Sequence, residues 1–293
     1  MKHLLVGIAL AVICWTTPLH AARYGVARWA APVLNTPAFT TVFGGRHGNA
    51  LKTDRCGQVR ELEYIALPGT VFRLLEKINH ETATIYRVAT DDYPTPAGKR
   101  LYLDSRFIDT RDTEPLPRAC TLPARAEIIA SLKSAVGKPY VWGGNVSSGV
   151  PELAGFFYRG TLPPGSEKPR LLAGLDCSGL LYQATNGWTS RNTSQLVMFG
   201  KGLPIAARTA EGIAALLEPL DLIVWNGHLI IVLDSQTVIE SRLECGRPGN
   251  GGVVTTPLQQ RLAEIMRARS PVDAWPREGK QRDVFVVRRW FGL

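Results

Sequence analysis

"DLIVWNGHLIIVLDSQTVIESR", Asp221–Arg242, decides the architecture of the second half of the chain. Three runs rich in β-branched residues, DLIVW, HLIIVLD and TVIESR, are separated by Asn226-Gly227 and by Asp234-Ser235-Gln236. Such residues suit a pleated, buried surface, and turn-forming residues bound each run, so the stretch predicts consecutive strands. A further strand, DVFVVRRW (Asp283–Trp290), closes the chain. Upstream, ARAEIIASLKSAV (Ala124–Val136) has apolar residues at helical spacing and stops at Gly137, and the residues after Leu175-Asp176 read as an amphipathic helix to about Gly187. Helices followed by a run of antiparallel strands make an α+β layout.

Two ionisable residues stand out in the opening stretch. His228 begins its second strand, and Glu240 interrupts the apolar TVI of its third, where a carboxylate needs a partner. They are twelve positions apart, an even number, so an odd-length hairpin loop sets them opposite each other on one sheet face. A carboxylate holding the far nitrogen of an imidazole is how a general base is oriented. The matching nucleophile is Cys177 in LDCSG. It lies where a helix begins, with Asp176 as the expected N-cap, and a helix N-terminus favours a thiolate. Past the N-terminal segment the chain has three histidines, His47, His80 and His228, and only His228 lies in the C-terminal half. A cysteine alone also reads as a small core residue, and a lone histidine as a plain strand residue. Cys177, His228 and Glu240 together point to nucleophilic catalysis. The rival thiol, Cys245 in ECGRPGNGG, has no helix start behind it.

The first half differs in texture. From about Arg23 to Ile108, short apolar stretches alternate with turn residues, including two strands around Pro68-Gly69, and the spacing suggests a small β-barrel. Thr110–Pro123 is Pro-rich and polar, the expected linker. Asn145 to about Leu172 is rich in Gly and Pro around Phe156-Phe157-Tyr158 and reads as a long loop, a length usually tied to function.

Composition narrows the partners. With 293 residues, 45% hydrophobic and 20% charged, the chain fits a globular protein of two domains. Residues 1–21, MKHLLVGIALAVICWTTPLHA, have the layout of a secretory signal peptide, and the apolar run is too short to span a bilayer. Ile13, before Cys14, is too large for a lipoprotein processing site, so export to the periplasm or cell wall without stable membrane insertion is expected. Removing that segment leaves 33 basic and 25 acidic residues, 33 − 25 = +8, which suits an anionic wall polymer. No basic cluster interleaves with aromatics, so nucleic acid is not an expected partner. The remaining cysteines, Cys56, Cys120, Cys177 and Cys245, form no CxxC pair; no metal or cofactor is expected, and Cys56 with Cys120 is a candidate disulfide.

Four pieces, KPYVWGGN (Lys138–Asn145), LDCSGLLYQ (Leu175–Gln183), LDLIVWNGHLIIVLD (Leu220–Asp234) and VIESR (Val238–Arg242), resemble in order and character the NlpC/P60 cysteine peptidases of bacterial cell walls. The resemblance runs from about Ala124 to the C-terminus, and YRV…YLDSRFI upstream looks like the end of a bacterial SH3-like (SH3b) domain. It implies a signal peptide (1–21), an SH3b-like barrel (22–112), a linker (113–123) and a papain-like catalytic domain (124–293) of helices packed on an antiparallel sheet. It also implies a Cys177–His228–Glu240 triad that cuts peptidoglycan stem peptides or their fragments through a thioester, typically at the γ-D-glutamyl–diamino acid bond. Tyr140, Asp176 and Ser178 would bind a free N-terminal L-Ala. Core packing for Tyr140, and helix capping for Asp176 and Ser178, are equal alternatives. Two departures matter: Glu240 stands where the family often has His, and about thirty residues separate W-G-G from D-C-S-G, an insertion near 145–172 that should border the active site. An amidase or acyl transferase on the same fold, or a wall-binding protein acting through its SH3b domain, are the other classes this resemblance admits.

Overall fold

The computed structural model describes residues 23–80, 83–160, 165, 167–247, 250–278 and 281–292; the expected signal peptide lies outside the described residues. The N-terminal region is an antiparallel sheet of seven strands. Across the sheet they run Leu62–Ala66, Ala31–Leu34, Leu101–Asp104, Thr84–Ala89, Val71–Asn79, Tyr24–Ala27 and Ile108–Arg111. Pro68-Gly69 makes the expected turn, with Gly69 at φ +84°, a conformation that disfavours any side chain. Phe72, Phe107, Leu34 and Leu103 fill the interior, and the Tyr64 and Tyr93 rings stack 4.2 Å apart.

No pairing joins the two ends of this sheet among the described residues, so the expected closed barrel is not found. The outer edge of Leu62–Ala66 has another neighbour. The side chain of buried Asn145 donates to Ile65 O (2.8 Å) and accepts from Ile65 N (2.9 Å), supplying both bonds that an adjacent strand would make. One carboxamide thus covers an edge that would otherwise present unpaired backbone groups.

The C-terminal region is a mixed α/β body built on a largely antiparallel sheet, in which Leu222–Trp225, His228–Val232, Thr237–Leu243 and Gly251–Pro257 follow one another and Val284–Arg289 pairs with Leu222–Trp225. Both faces are covered. Leu222, Val224, Leu229 and Ile231 pack with Ile128, Leu132, Leu180 and Leu181 of the helices Arg125–Ser134 and Cys177–Ala184. Ile223, Ile230, Val232 and Val238 pack with Ile213 of the helix Ala210–Ala214 and with Leu262 and Ile265 of the helix Leu258–Met266. Burial on two faces is why these strands are continuous apolar runs instead of alternating ones.

The insertion departs from the reading as a long loop. It contains the helices Glu152–Phe157 and Glu167–Arg170. Val150, Leu153, Phe157 and Leu172 belong to the core of the N-terminal sheet. The Phe157 ring lies 5.4 Å from that of Phe43, and Arg106 donates to Phe156 O (3.0 Å) while covering both phenylalanine rings. The apolar cluster FFY is thus an anchor between the two halves. The cysteine pairing is also a correction: Cys56 is bonded to Cys245, and Cys120 is free and exposed. Arg118 ties the linker to the carbonyls of Asn186 (3.0 Å) and Gly187 (3.5 Å), which holds Cys120 at the far end of the Cys177 helix. No helix among the described residues is long and apolar enough to cross a membrane.

Candidate active site

Cys177 is the first residue of the helix Cys177–Ala184 and is buried. Asp176 caps that helix as expected, its Oδ1 accepting from Gly179 N at 2.7 Å. The glycine of D-C-S-G has a steric cause: a Cβ at Gly179 would overlap the carbonyl oxygen of Gly144. That same carbonyl accepts from Asp176 N at 2.9 Å, so the W-G-G and D-C-S-G segments cross in contact and fix where the helix starts.

His228 is the first residue of its strand, after the Asn226-Gly227 turn with Gly227 at φ +105°, and its ring packs against that of Trp225 (5.1 Å between centroids). Its Nε2 lies 2.6 Å from Oε2 of Glu240, which is completely buried, and the ring interacts on its other side with Cys177. The register refines the sequence expectation. Val232 pairs with Val238 and Ile231 with Ile239, so His228 and Glu240 share a face but stand diagonally, not directly opposite. The loop between Val232 and Val238 is odd in length, as same-face placement needs, but two residues longer than direct opposition allows. Burial opposes a charged imidazole here, yet the hydrogen bonds and charges of Cys177 and Glu240 outweigh it and raise the His228 pKa to about 9. Burial raises the Glu240 pKa, but His228 and Arg261 overcome this and hold it below the usual carboxylate value.

Cys177 opens on a cleft of about 230 Å³ lined also by Tyr140, Trp142 and Asn226 from the C-terminal half and by Glu63 and Tyr93 from the N-terminal half. Tyr140 is brought to the cleft, its hydroxyl held well above its ordinary pKa by burial and by the charges of Asp176 and Cys177. Asp176 and Ser178 line it as well, but both are engaged. Buried Arg191 donates to Asp176 Oδ1 (3.0 Å) and Oδ2 (2.6 Å) and to Ser178 Oγ (2.8 Å). A second cavity, about 280 Å³, shares Tyr140 with the cleft and is walled by Val59 and by Lys168, Pro169 and Leu172 of the insertion. The insertion therefore borders the site at one remove. Cys245, in its disulfide, has no thiol to offer.

Four neighbours of these residues escaped sequence reasoning: Glu63, Tyr93, Arg191 and Arg261. Charge arithmetic signals the two arginines, since two buried carboxylates and one histidine leave negative charge that only a buried cation offsets. Glu63 alternates with Leu62 and Tyr64 like any surface strand residue.

No family model matches the chain, and no curated protein matches it. Among solved structures it is similar to an NlpC/P60 family protein from Bacillus cereus, at 16% identity and TM-score 0.32, over 92% of this chain and 63% of that one. It is also similar to NlpC2 from Trichomonas vaginalis, at 13% identity and TM-score 0.31, over 92% of this chain and 73% of that one. A third, RipD from Mycobacterium tuberculosis, is a non-catalytic NlpC/p60 domain protein adapted to peptidoglycan binding; the match has 19% identity and TM-score 0.29, over 45% of this chain and 92% of that one. The chain spans less than two thirds of the Bacillus cereus protein's length.

Proposed function

We propose that the chain is a cysteine hydrolase of cell-wall peptides, cutting the γ-D-glutamyl–diamino acid bond of peptidoglycan stem peptides. The observation that carries this reading is the juxtaposition of Cys177, which opens on a cleft, with His228, whose ring is hydrogen-bonded to buried Glu240. In the reaction, the Cys177 sulfur attacks the scissile carbonyl while His228 holds the thiol proton. The Cys177 backbone N–H, at a helix N-terminus, faces the developing oxyanion. His228 then gives its proton to the departing amine, leaving a thioester on Cys177. A water attacks that thioester, His228 accepts its proton, and the acid is released as the thiol re-forms. Glu240 keeps the imidazole in the orientation both steps require.

Recognition is assigned to the rest of the cleft. Glu63 on the N-terminal wall supplies a carboxylate suited to the free ammonium of an N-terminal L-Ala, with Tyr140 and the Arg191-held Asp176 and Ser178 alongside. The net charge of +9 over the full chain suits an anionic wall polymer. The Cys56–Cys245 disulfide agrees with an oxidising compartment outside the cytoplasm. The domain reading, with an SH3b-like unit and a catalytic unit, belongs to the same proposal. Wall binding without catalysis is the weaker reading, because no member of the Cys-His-Glu line is replaced.

Digestion of stem peptides released from the glycan, so that their N-terminal L-Ala amine is free, with mass analysis of the fragments, tests the proposal. The expected product is L-Ala–D-glutamate with a free γ-carboxyl, and it disappears with Cys177→Ala. Fragments cut at an amide bond elsewhere, or unchanged digestion by Cys177→Ala, contradict it.

A further inference from the structure

Glu240 has more than one partner. Its Oε2 contacts His228 Nε2 at 2.6 Å, and Arg261, on the helix Leu258–Met266, grips both carboxylate oxygens: Nε donates to Oε1 at 2.7 Å and Nη2 to Oε2 at 3.0 Å. One oxygen is therefore shared between the imidazole and the guanidinium. The fork is braced from behind, since Arg261 Nη1 donates to Glu264 at 3.2 Å and Glu264 in turn accepts from Gln260 at 2.9 Å. The other cation near Glu240 is Arg242 on its own strand, 4.0 Å from Oε1 and 3.8 Å from Glu244. On its far side His228 faces Cys177, around which stand Tyr140 and the closed Asp176–Arg191 pair.

We propose that Arg261 is a positioning residue that, by sharing Glu240 with His228, sets how readily the imidazolium releases its proton. A buried carboxylate facing an imidazolium alone would form a closed ion pair, and in a medium of low dielectric that pair resists losing its proton. A bidentate guanidinium changes this in two ways. It fixes the plane of the carboxylate, as a planar fork does and an ammonium cannot. It also neutralises part of the negative charge that His228 would otherwise command. His228 must both take a proton and give one up, and a general acid whose proton is held too tightly serves only the first task. Arg261 lies outside the cleft's lining and acts only through Glu240.

The inference rests on the hydrolase reading for its catalytic meaning, but it is tested without substrate. The ring C–H signals of His228 are followed by NMR against pH in the intact protein. Arg261→Met is expected to move the His228 titration upward from about 9 by about one unit, a tenfold tighter hold on the proton, and Arg261→Lys to move it less. In a Glu240→Gln background the Arg261→Met shift should vanish, because the coupling runs through the carboxylate. On stem peptides with a free N-terminal L-Ala, Arg261→Met is expected to lower kcat at pH 7 several-fold with KM unchanged. A titration that stays put or falls in Arg261→Met overturns the inference, and so does an upward shift that persists undiminished without Glu240. If Arg261→Met does not fold, Arg261→Lys alone and in the Glu240→Gln background carries the same test. Wild-type protein that cuts no wall peptide would sink the hydrolase reading while leaving this titration result standing.

Discussion

The two walls of the cleft are built on different principles. On the C-terminal wall each reactive group sits at the end or in the middle of a buried element: Cys177 at a helix start, His228 at a strand start, Glu240 within a strand. Its charges are closed in pairs, Asp176 with Arg191 and Glu240 with His228 and Arg261. The N-terminal wall offers Glu63, bonded to Asn35 (2.7 Å) and Tyr93 (3.2 Å) and within 3.2 Å of surface Lys99. In the proposed reaction the C-terminal wall carries the chemistry, which tolerates little misplacement. The other is a polar surface suited to recognition. Among the joints that hold the walls together are the Asn145 carboxamide on a sheet edge, the aromatic anchor of the insertion and the Cys56–Cys245 bond.

Substitutions on each wall, and at the joints, can break this contrast. The largest effect belongs to the nucleophile: Cys177→Ala is expected to reduce turnover by at least ~10⁴-fold while leaving the melting temperature nearly unchanged. Residual activity within tenfold of wild type would remove the chemistry from this wall. Next comes Glu240→Gln, expected to cost roughly 10²–10⁴-fold in kcat. It should also pull the alkaline limb of the kcat/KM profile down from about 9 toward 6.5, because the carboxylate that favours the charged imidazole is gone. The same linkage acts on stability. A raised folded pKa means that His228 contributes fully below pH 6.5 and loses that contribution as pH rises through about 9, so thermal unfolding should shift downward across this window in wild type and flatten in Glu240→Gln.

At the joints the effects are on stability. Replacing Cys56 and Cys245 by Ser opens a link spanning 189 residues and is expected to cost about 2–4 kcal/mol by denaturant titration, with hydrolysis retained. Asn145→Ala orphans the backbone of Ile65 and should cost about 2–3 kcal/mol. An unchanged midpoint for both would show that the walls stand independently. The smallest effect is expected on the recognition wall, where Glu63→Gln should raise KM about tenfold, ~1.4 kcal/mol, without changing kcat. A fall in kcat instead would make Glu63 part of the chemistry.

How legible the molecule was from sequence follows the same division. The reactive residues each carry a local mark: an acidic cap before Cys177, a tight turn before His228, a charge inside an apolar strand at Glu240. The four apolar strands and the two helices read in the C-terminal half were legible too, because their apolar runs reflect burial, whereas the strand Gly251–Pro257 and the helices Ala210–Ala214 and Leu258–Met266 were not. What failed depended on distant partners. FFY in the insertion reads as loop until Phe43, more than a hundred residues earlier, is beside it. The edge of the N-terminal sheet is completed by a side chain, not a strand, and no periodicity encodes that. Arg191 and Arg261 sit among polar neighbours and look like solvated residues until the carboxylates they neutralise are placed. The diagonal pairing of His228 and Glu240 turned on the length of one loop, which composition does not reveal.

The central claim is that Cys177 becomes covalently acylated. Protein mixed with a stem-peptide fragment carrying a free N-terminal L-Ala, quenched in acid within the first turnover and digested, is measured by mass spectrometry. The account predicts a thioester-linked L-Ala-γ-D-glutamyl group on the peptide that contains Cys177, absent from Cys177→Ala. Product release with no acyl group on Cys177, or an acyl group on any other residue, would contradict it.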